Sequence, residues 1–307
     1  MNRVVSAIFV LAAMSFAGAN LYAAQGKVVV LMSSDAESFK QALNGFKQQI
    51  EATNPSSSIS VTTLLLQGME PASAVSQISA EKPDVILTIG GNATKFAKDN
   101  IKDKQIVFCM VINPQEYAGA NITGVSLEIR PDKKLQSLKK IYPGVKKIGI
   151  LYSADSAASY NELSTEAPNQ GLTVISRKIE TDSDFPEAVK EVGSRTDCFL
   201  MLMDAKIYFS QTIKYLLLES LRNKFPVIGL SSFYTKAGAF ASFDCDYTDL
   251  GRQSADIAAE ILSGETASNI KIQRPRKFKY SVSTIVADKM QITISPQVLK
   301  EASEVFN

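Results

Sequence analysis

Small polar side chains collect at a few points in this chain, each at or near the end of a short apolar run. The points are Ser33-Ser34-Asp35 with Phe39, Gly91-Asn92-Ala93-Thr94, Asn113, Ser153 with Asp155 and Tyr160, Asp204, and Ser231-Ser232-Phe233. Hydroxyls, amides and carboxylates of this kind suit hydrogen bonding to a small polar ligand. They do not form a catalytic set. The chain has no histidine, which removes Ser-His-Asp and Cys-His chemistry and the usual zinc sites. No lysine stands out as a base for Ser33, Ser34 or Ser153. There is no GxGxxG after a strand and no P-loop lysine motif.

The carboxylates leave two readings open. Asp35 and Asp155 each precede a helical stretch and would cap it, or they would face each other across a cleft as acid and base. Asp204 follows an apolar strand with no clear helix directly after it. It would pair with a ligand ammonium or serve as a solvated or capping residue. Gly90-Gly91-Asn92-Ala93-Thr94 would bring backbone N–H groups and a helix start to an anion, or would be a tight turn relieved by its glycines. Phe39, Tyr117, Tyr160, Phe209, Phe233 and Tyr234 are candidates to pack on an apolar ligand body.

The elements that would position these residues alternate between strand and helix. Strands are expected at 28–32, 59–66, 84–89, 106–111, 121–126, 148–152, 172–176, 198–203, 227–230 and 239–243. Between them run amphipathic stripes such as Phe39, Leu43, Phe46 and Ile50, and 54–58 reads as a turn. Such alternation predicts parallel sheets covered by helices, with ligands at the carboxyl ends of the strands. The segment Lys27–Asp35 is echoed 120 residues later by Lys147–Asp155, with identities at four of nine positions. A strand and polar tip found twice imply two similar lobes with a cleft between them.

Composition narrows the class. Arg3, the apolar run Val4–Phe16 and Leu21-Tyr22-Ala23 before Ala24 describe a cleaved secretory signal peptide over 1–24. The remaining length suits two lobes. With 33 basic against 31 acidic side chains, no basic field favours nucleic acid. Cys109, Cys198 and Cys245 lie in or beside apolar runs and read as buried thiols. A Cys198–Cys245 disulfide stays open in an oxidising compartment.

A further set of motifs is more specific. Asp246-Tyr247-Thr248-Asp249-Leu250-Gly251-Arg252-Gln253-Ser254-Ala255 opens a helix, after Lys236-Ala237-Gly238-Ala239 and before Arg276-Lys277-Phe278 and Ile294-Ser295-Pro296-Gln297. With Asn121-Ile122-Thr123-Gly124 and Tyr142-Pro143-Gly144-Val145, the chain from about Lys27 onward resembles the ABC-transporter substrate-binding family that includes tryptophan- and tyrosine-type binding proteins. The resemblance implies a type I periplasmic-binding-protein fold: two Rossmann-like α/β lobes with parallel sheets, joined by three hinge crossovers near 127–130, 245–247 and 276–280. It implies a first lobe of 25–127 plus 247–276 and a second of 128–246 plus 277–307. It further implies a monomeric, non-enzymatic, cofactor-free protein of the periplasm that passes a small molecule to an ABC permease.

In amino-acid-binding members a Thr-x-Ala-type loop and a second-lobe aspartate hold the ligand backbone. Gly91-Asn92-Ala93-Thr94 and Asp204 match those positions. The usual Thr-Asp-Pro, Pro-Thr-Asp-Asn and Ser-Asp-Asp loops instead read Ile112-Asn113-Pro114, Leu202-Met203-Asp204-Ala205 and Ser231-Ser232-Phe233. An aromatic amino acid is the favoured ligand. Asp204→Ala is expected to abolish binding of an ammonium-bearing ligand without unfolding. A ligand sensor docking on a membrane kinase or chemoreceptor, and an exported α/β hydrolase, are the alternatives.

Overall fold

A computed structural model describes residues 26–53 and 59–307; the expected signal peptide and the turn at 54–58 lie outside the described residues. The first sheet holds β1 (Gly26–Met32), β2 (Ile59–Leu65), β3 (Val85–Ile89), β4 (Gln105–Val111) and β5 (Ile122–Ser126) in the order β2-β1-β3-β4-β5. Its pairings are all parallel. Residues 28–32 are buried on both faces, with Val28, Val30 and Met32 in one core cluster and Val29 and Leu31 in another. That two-sided burial is why a parallel strand reads as an unbroken apolar run. Helices α1 (Glu37–Thr53), α2 (Pro71–Glu81) and α3 (Gly91–Asn100) connect the strands.

After α4 (Pro131–Ile141) the second sheet begins. It contains β6 (Lys147–Tyr152), β7 (Thr173–Lys178), β8 (Cys198–Leu200), β9 (Val227–Gly229) and β10 (Ala241–Cys245). Helices α5 (Ala157–Glu166), α6 (Phe185–Gly193), α7 (Ser210–Asn223) and α8 (Ser232–Ala237) intervene. Then come α9 (Tyr247–Leu262), β11 (Phe278–Ser283), α10 (Thr284–Met290), α11 (Pro296–Glu301) and β12 (Glu304–Phe306). The sheet order is β12-β11-β10-β9-β8-β6-β7. Its β7-β6-β8-β9-β10 portion repeats the topology of the first sheet, so β1 and β6, the two copies of the sequence repeat, occupy equivalent places.

Three details depart from expectation. The strand expected over 198–203 stops at Leu200, because Asp204 draws the following chain into a turn while Met201 and Leu202 stay buried outside the strand. The strand expected at 239–243 lies two residues later, because the Ala239 N–H closes α8 by donating to the Tyr234 carbonyl. Part of the crossover expected at 276–280 is strand: β11 starts at Phe278 and pairs antiparallel with β10.

The chain passes between the sheets three times, after β5, after β10 and before β11. Helix α9 follows β10 of the second sheet yet packs on α1 beside the first. A side chain at Gly251 would lie 1.8 Å from the Ala42 carbonyl oxygen, and one at Gly45 would lie 1.9 Å from that of Thr248. Glycine at both positions lets the two helix backbones touch. The rest of the Asp246–Ala255 motif is equally structural. Asp246 caps α9 by accepting from the Asp249 N–H at 3.0 Å. Buried Asp249 receives Arg276 at 2.9 Å, and Gln253 donates to the Arg274 carbonyl at 2.9 Å, so both clamp the third crossover.

Candidate functional site

The topological switch point of such a sheet lies where the strand order reverses, between β1 and β3 and between β6 and β8, and ligands collect outside the strand ends there. In the first lobe the Ser33 hydroxyl, past the end of β1, accepts from the Ala93 N–H at 2.9 Å. Gly90, at φ 91°, caps α3. A Cβ there would meet Phe39 and the Ser33 hydroxyl at 2.7 Å, so glycine lets β3, α3 and the Ser33 tip close on one another. Gly91 and Asn92 open α3, and their N–H groups belong to the turn that has no partner within a helix. Gly91 stands beside the Tyr117 hydroxyl. Thr94 and Ala93 are fully buried, and the Thr94 hydroxyl bonds to Thr88 and the Gly90 carbonyl, both at 2.9 Å. Thr94 therefore braces the loop from beneath.

In the second lobe Asp204 is the centre of a hydrogen-bonded cluster. One oxygen accepts from the Ser153 N–H at 3.1 Å, the Ser153 hydroxyl at 2.7 Å and the Ser156 hydroxyl at 2.6 Å. The other accepts from the N–H groups of Lys206 at 3.0 Å and Ile207 at 3.3 Å. Both oxygens are occupied by the protein's own donors, and the residue is buried. This geometry makes Asp204 the organiser of the lip and argues against the direct ammonium contact read from the sequence.

Neither Asp35 nor Asp155 caps a helix. Asp35 is exposed and pairs with Lys40 at 2.9 Å, while the Ala36 carbonyl takes the first bonds of α1. Asp155 pairs with Lys206 at 2.8 Å, and its carbonyl accepts from the Asn113 amide at 3.0 Å. That bond joins the strand-end rims of the two lobes. Asn113 sits in the left-handed region at φ 52°, which asparagine tolerates better than most residues.

The remaining predicted residues divide. Ser34, Ser231 and Ser232 are half-buried at strand ends, and Phe233 is 66% exposed beside Tyr234. Tyr160 turns to its own lobe: its ring stacks on Tyr152 at 3.9 Å and its hydroxyl meets Ser176 at 2.8 Å. All three cysteines are free and buried. The Cys198–Cys245 disulfide is not formed; the two lie on β8 and β10, with β9 between them. Burial pushes the Cys109 and Cys245 thiols up to about 12.

A concavity of about 870 Å³ forms an open furrow by α4 and α5, lined by Arg130, Glu162, Glu166 and Arg274. Its two arginines are already paired, Arg130 with Asp132 at 3.0 Å and Arg274 with Glu162 at 2.5 Å, which describes a solvated surface.

The family model for ABC transporter substrate binding proteins matches residues 27–306. The chain belongs to that family. This substrate-binding protein is 26% identical over 211 residues to a tyrosine-binding protein of Clostridioides difficile, an alignment covering 65% of the chain and 61% of the relative. It is 24% identical to an uncharacterized Rickettsia prowazekii protein, 66% of which is covered. The chain thus spans less than two thirds of either curated relative. A Streptococcus ABC domain solved with L-Trp has a TM-score of 0.65 at 21% identity, with 92% of this chain and 100% of that one covered. A ligand-free, open substrate-binding protein with adhesive properties from Clostridium difficile has a TM-score of 0.74 at 20% identity, with 92% and 99% covered. These neighbours share the fold of two α/β lobes, and the family is one of binding proteins rather than enzymes.

Sequence reasoning passed over Asp244, whose Oδ1 is buried without a hydrogen-bond partner. Asp244 is a charged residue in an otherwise small and apolar strand, Ala241–Cys245. That signal was available, but placing the strand two residues early left Asp244 outside it.

Proposed function

We propose that this is an exported solute-binding protein that captures an amino acid, with an aromatic one favoured, between the strand tips of its lobes and hands it to an ABC permease. The observation that carries the reading is the contrast between the tips. The first lobe presents the N–H groups that open α3, suited to a carboxylate. The second carries carboxylates at the ends of its strands instead, Asp204 after β8 and Asp244 in β10, a negative charge suited to an ammonium. The tyrosine-binding relative and the L-Trp complex support an amino acid as the class. The segments 25–127 plus 247–276 and 128–246 plus 277–307 would move as two bodies about the crossovers. No helix among the described residues is long and apolar enough to cross a membrane, and the Arg3–Ala24 segment would direct export to the periplasm, where the protein acts as a monomer.

The chain has no tryptophan, so emission excited at the red edge of indole absorption reports bound tryptophan alone. A thermal-shift panel of amino acids should accompany it, since a ligand selective for the folded state raises Tm. A rise with tyrosine or tryptophan is expected. No shift from any amino acid would discard this ligand class and leave the family membership intact.

A further inference from the structure

Among the described residues two buried side-chain polar atoms lack a hydrogen-bond partner, Tyr208 Oη and Asp244 Oδ1. Buried polar groups are nearly always satisfied, so each orphan calls for an explanation. Both belong to the second lobe. Tyr208 follows Asp204 on the loop after β8, and Asp244 lies one residue from the carboxyl end of β10. Since β10 runs parallel to β9, that end is on the same edge as the other strand tips.

The position of Asp244 is specific. The next residue, Cys245, donates its thiol to the Leu127 carbonyl at 3.4 Å in the first crossover. The residue after that, Asp246, donates its N–H to the Lys277 carbonyl at 3.4 Å in the third. The end of β10 that carries Asp244 therefore adjoins the meeting point of the three crossovers. Lys279 is opposite it on β11, yet forms no ion pair with it among the described residues.

We infer that Asp244 is a ligand-binding residue, its free Oδ1 receiving the ammonium of the bound molecule beside the crossovers. This rests on the amino-acid reading above and moves the charge contact from Asp204, whose oxygens are filled, to a carboxylate with one oxygen open. A buried carboxylate with one oxygen unpartnered costs the empty protein stability, and a ligand cation lowers that cost on binding. The carboxyl is pushed above its usual range chiefly by burial, against the pull of the Tyr247 hydroxyl, Lys279 and the Ser232 and Cys245 N–H groups. Its contribution to the stability of the empty protein is therefore fully present below the unfolded pKa and is lost as pH rises through the folded one.

The test compares wild type, Asp244→Asn and Asp244→Ser by calorimetry with tyrosine, tryptophan, tyramine and 3-(4-hydroxyphenyl)propanoate. Both variants should weaken the ammonium-bearing ligands on the order of 100-fold. Empty Asp244→Asn should melt no lower than wild type and lose part of the fall in stability with rising pH. A structural role alone would lower its Tm. Amino acids bound by wild type and within twofold by both variants would overturn the assignment and leave the binding function standing. Tyramine binding that depends on Asp244, with no amino acid bound, would support the assignment and remove the amino-acid reading. Wild type binding only the propanoate, or none of the four, would overturn both.

Discussion

Ser33 and Ser153 hold equivalent places at the ends of β1 and β6, yet their hydroxyls play opposite parts. Ser33 accepts from the first turn of α3, and Ser153 donates to a carboxylate. The difference comes from the neighbouring strand. β3 runs into a helix almost at once, so N–H groups arrive at the switch point. β8 runs into the irregular stretch from Met201 to Phe209, and Asp204 arrives instead. A repeated sequence thus gives one tip built on helix N–H groups and one built around a buried carboxylate that its own donors satisfy.

The sharpest way to break this contrast is Asp204→Ala. It strands the hydroxyls and N–H groups gathered on the carboxylate, and should cost about 3 kcal/mol. Denaturant melts would show it as a lower midpoint. An unchanged midpoint with lost binding would return Asp204 to direct ligand contact. Gly90→Ala attacks the other tip through a strained φ and the crowding of Phe39 and Ser33, and should cost about 2 kcal/mol. Equal stability would mean that the first tip is loosely packed. Ser153→Ala should cost about 1.5 kcal/mol and Ser33→Ala about 1 kcal/mol, since Ser153 serves both Asp204 and the Asp155 N–H. The reverse order, read by the same melts, would invalidate the contrast. Asp35→Asn removes only an exposed ion pair, and Tm should stay at the wild-type value. A clear drop would give Asp35 a structural role not visible in its contacts.

Much of the fold was legible because the parallel strands are buried on both faces and announce themselves as apolar runs. β11 was not, because Phe278, Tyr280 and Val282 alternate with Lys279, Ser281 and Ser283 directly after a charged Arg-Pro-Arg-Lys stretch. β12, only Glu304–Phe306, is too short to carry a pattern. The site was legible as positions and less so as roles. Asp204 was found at its strand tip, but the donors that fill it come from 48 to 51 residues earlier and from the turn it makes. Asp35 looked like a cap because the true first acceptor, the Ala36 carbonyl, carries no side-chain signature. Asp244 went unseen because the strand that holds it, Ala241–Cys245, was placed two residues early and ended at Phe243.

The glycine contact between α1 and α9 also sets an order of events. The strands of the first sheet are complete by Ser126, yet the helix that covers one face of it starts roughly 120 residues later, at Tyr247. A chain leaving the ribosome or entering a translocation channel amino-terminus first must make nearly all of the second lobe before the first can close. Non-local closure of this kind slows folding. Pulse-labelled hydrogen exchange should show α1 and β4 amides gaining protection together with α9, and protection of α1 well ahead of α9 would contradict it. The lobe whose strands are made first therefore cannot become solid until α9 has been made, which keeps the chain threadable through most of its synthesis.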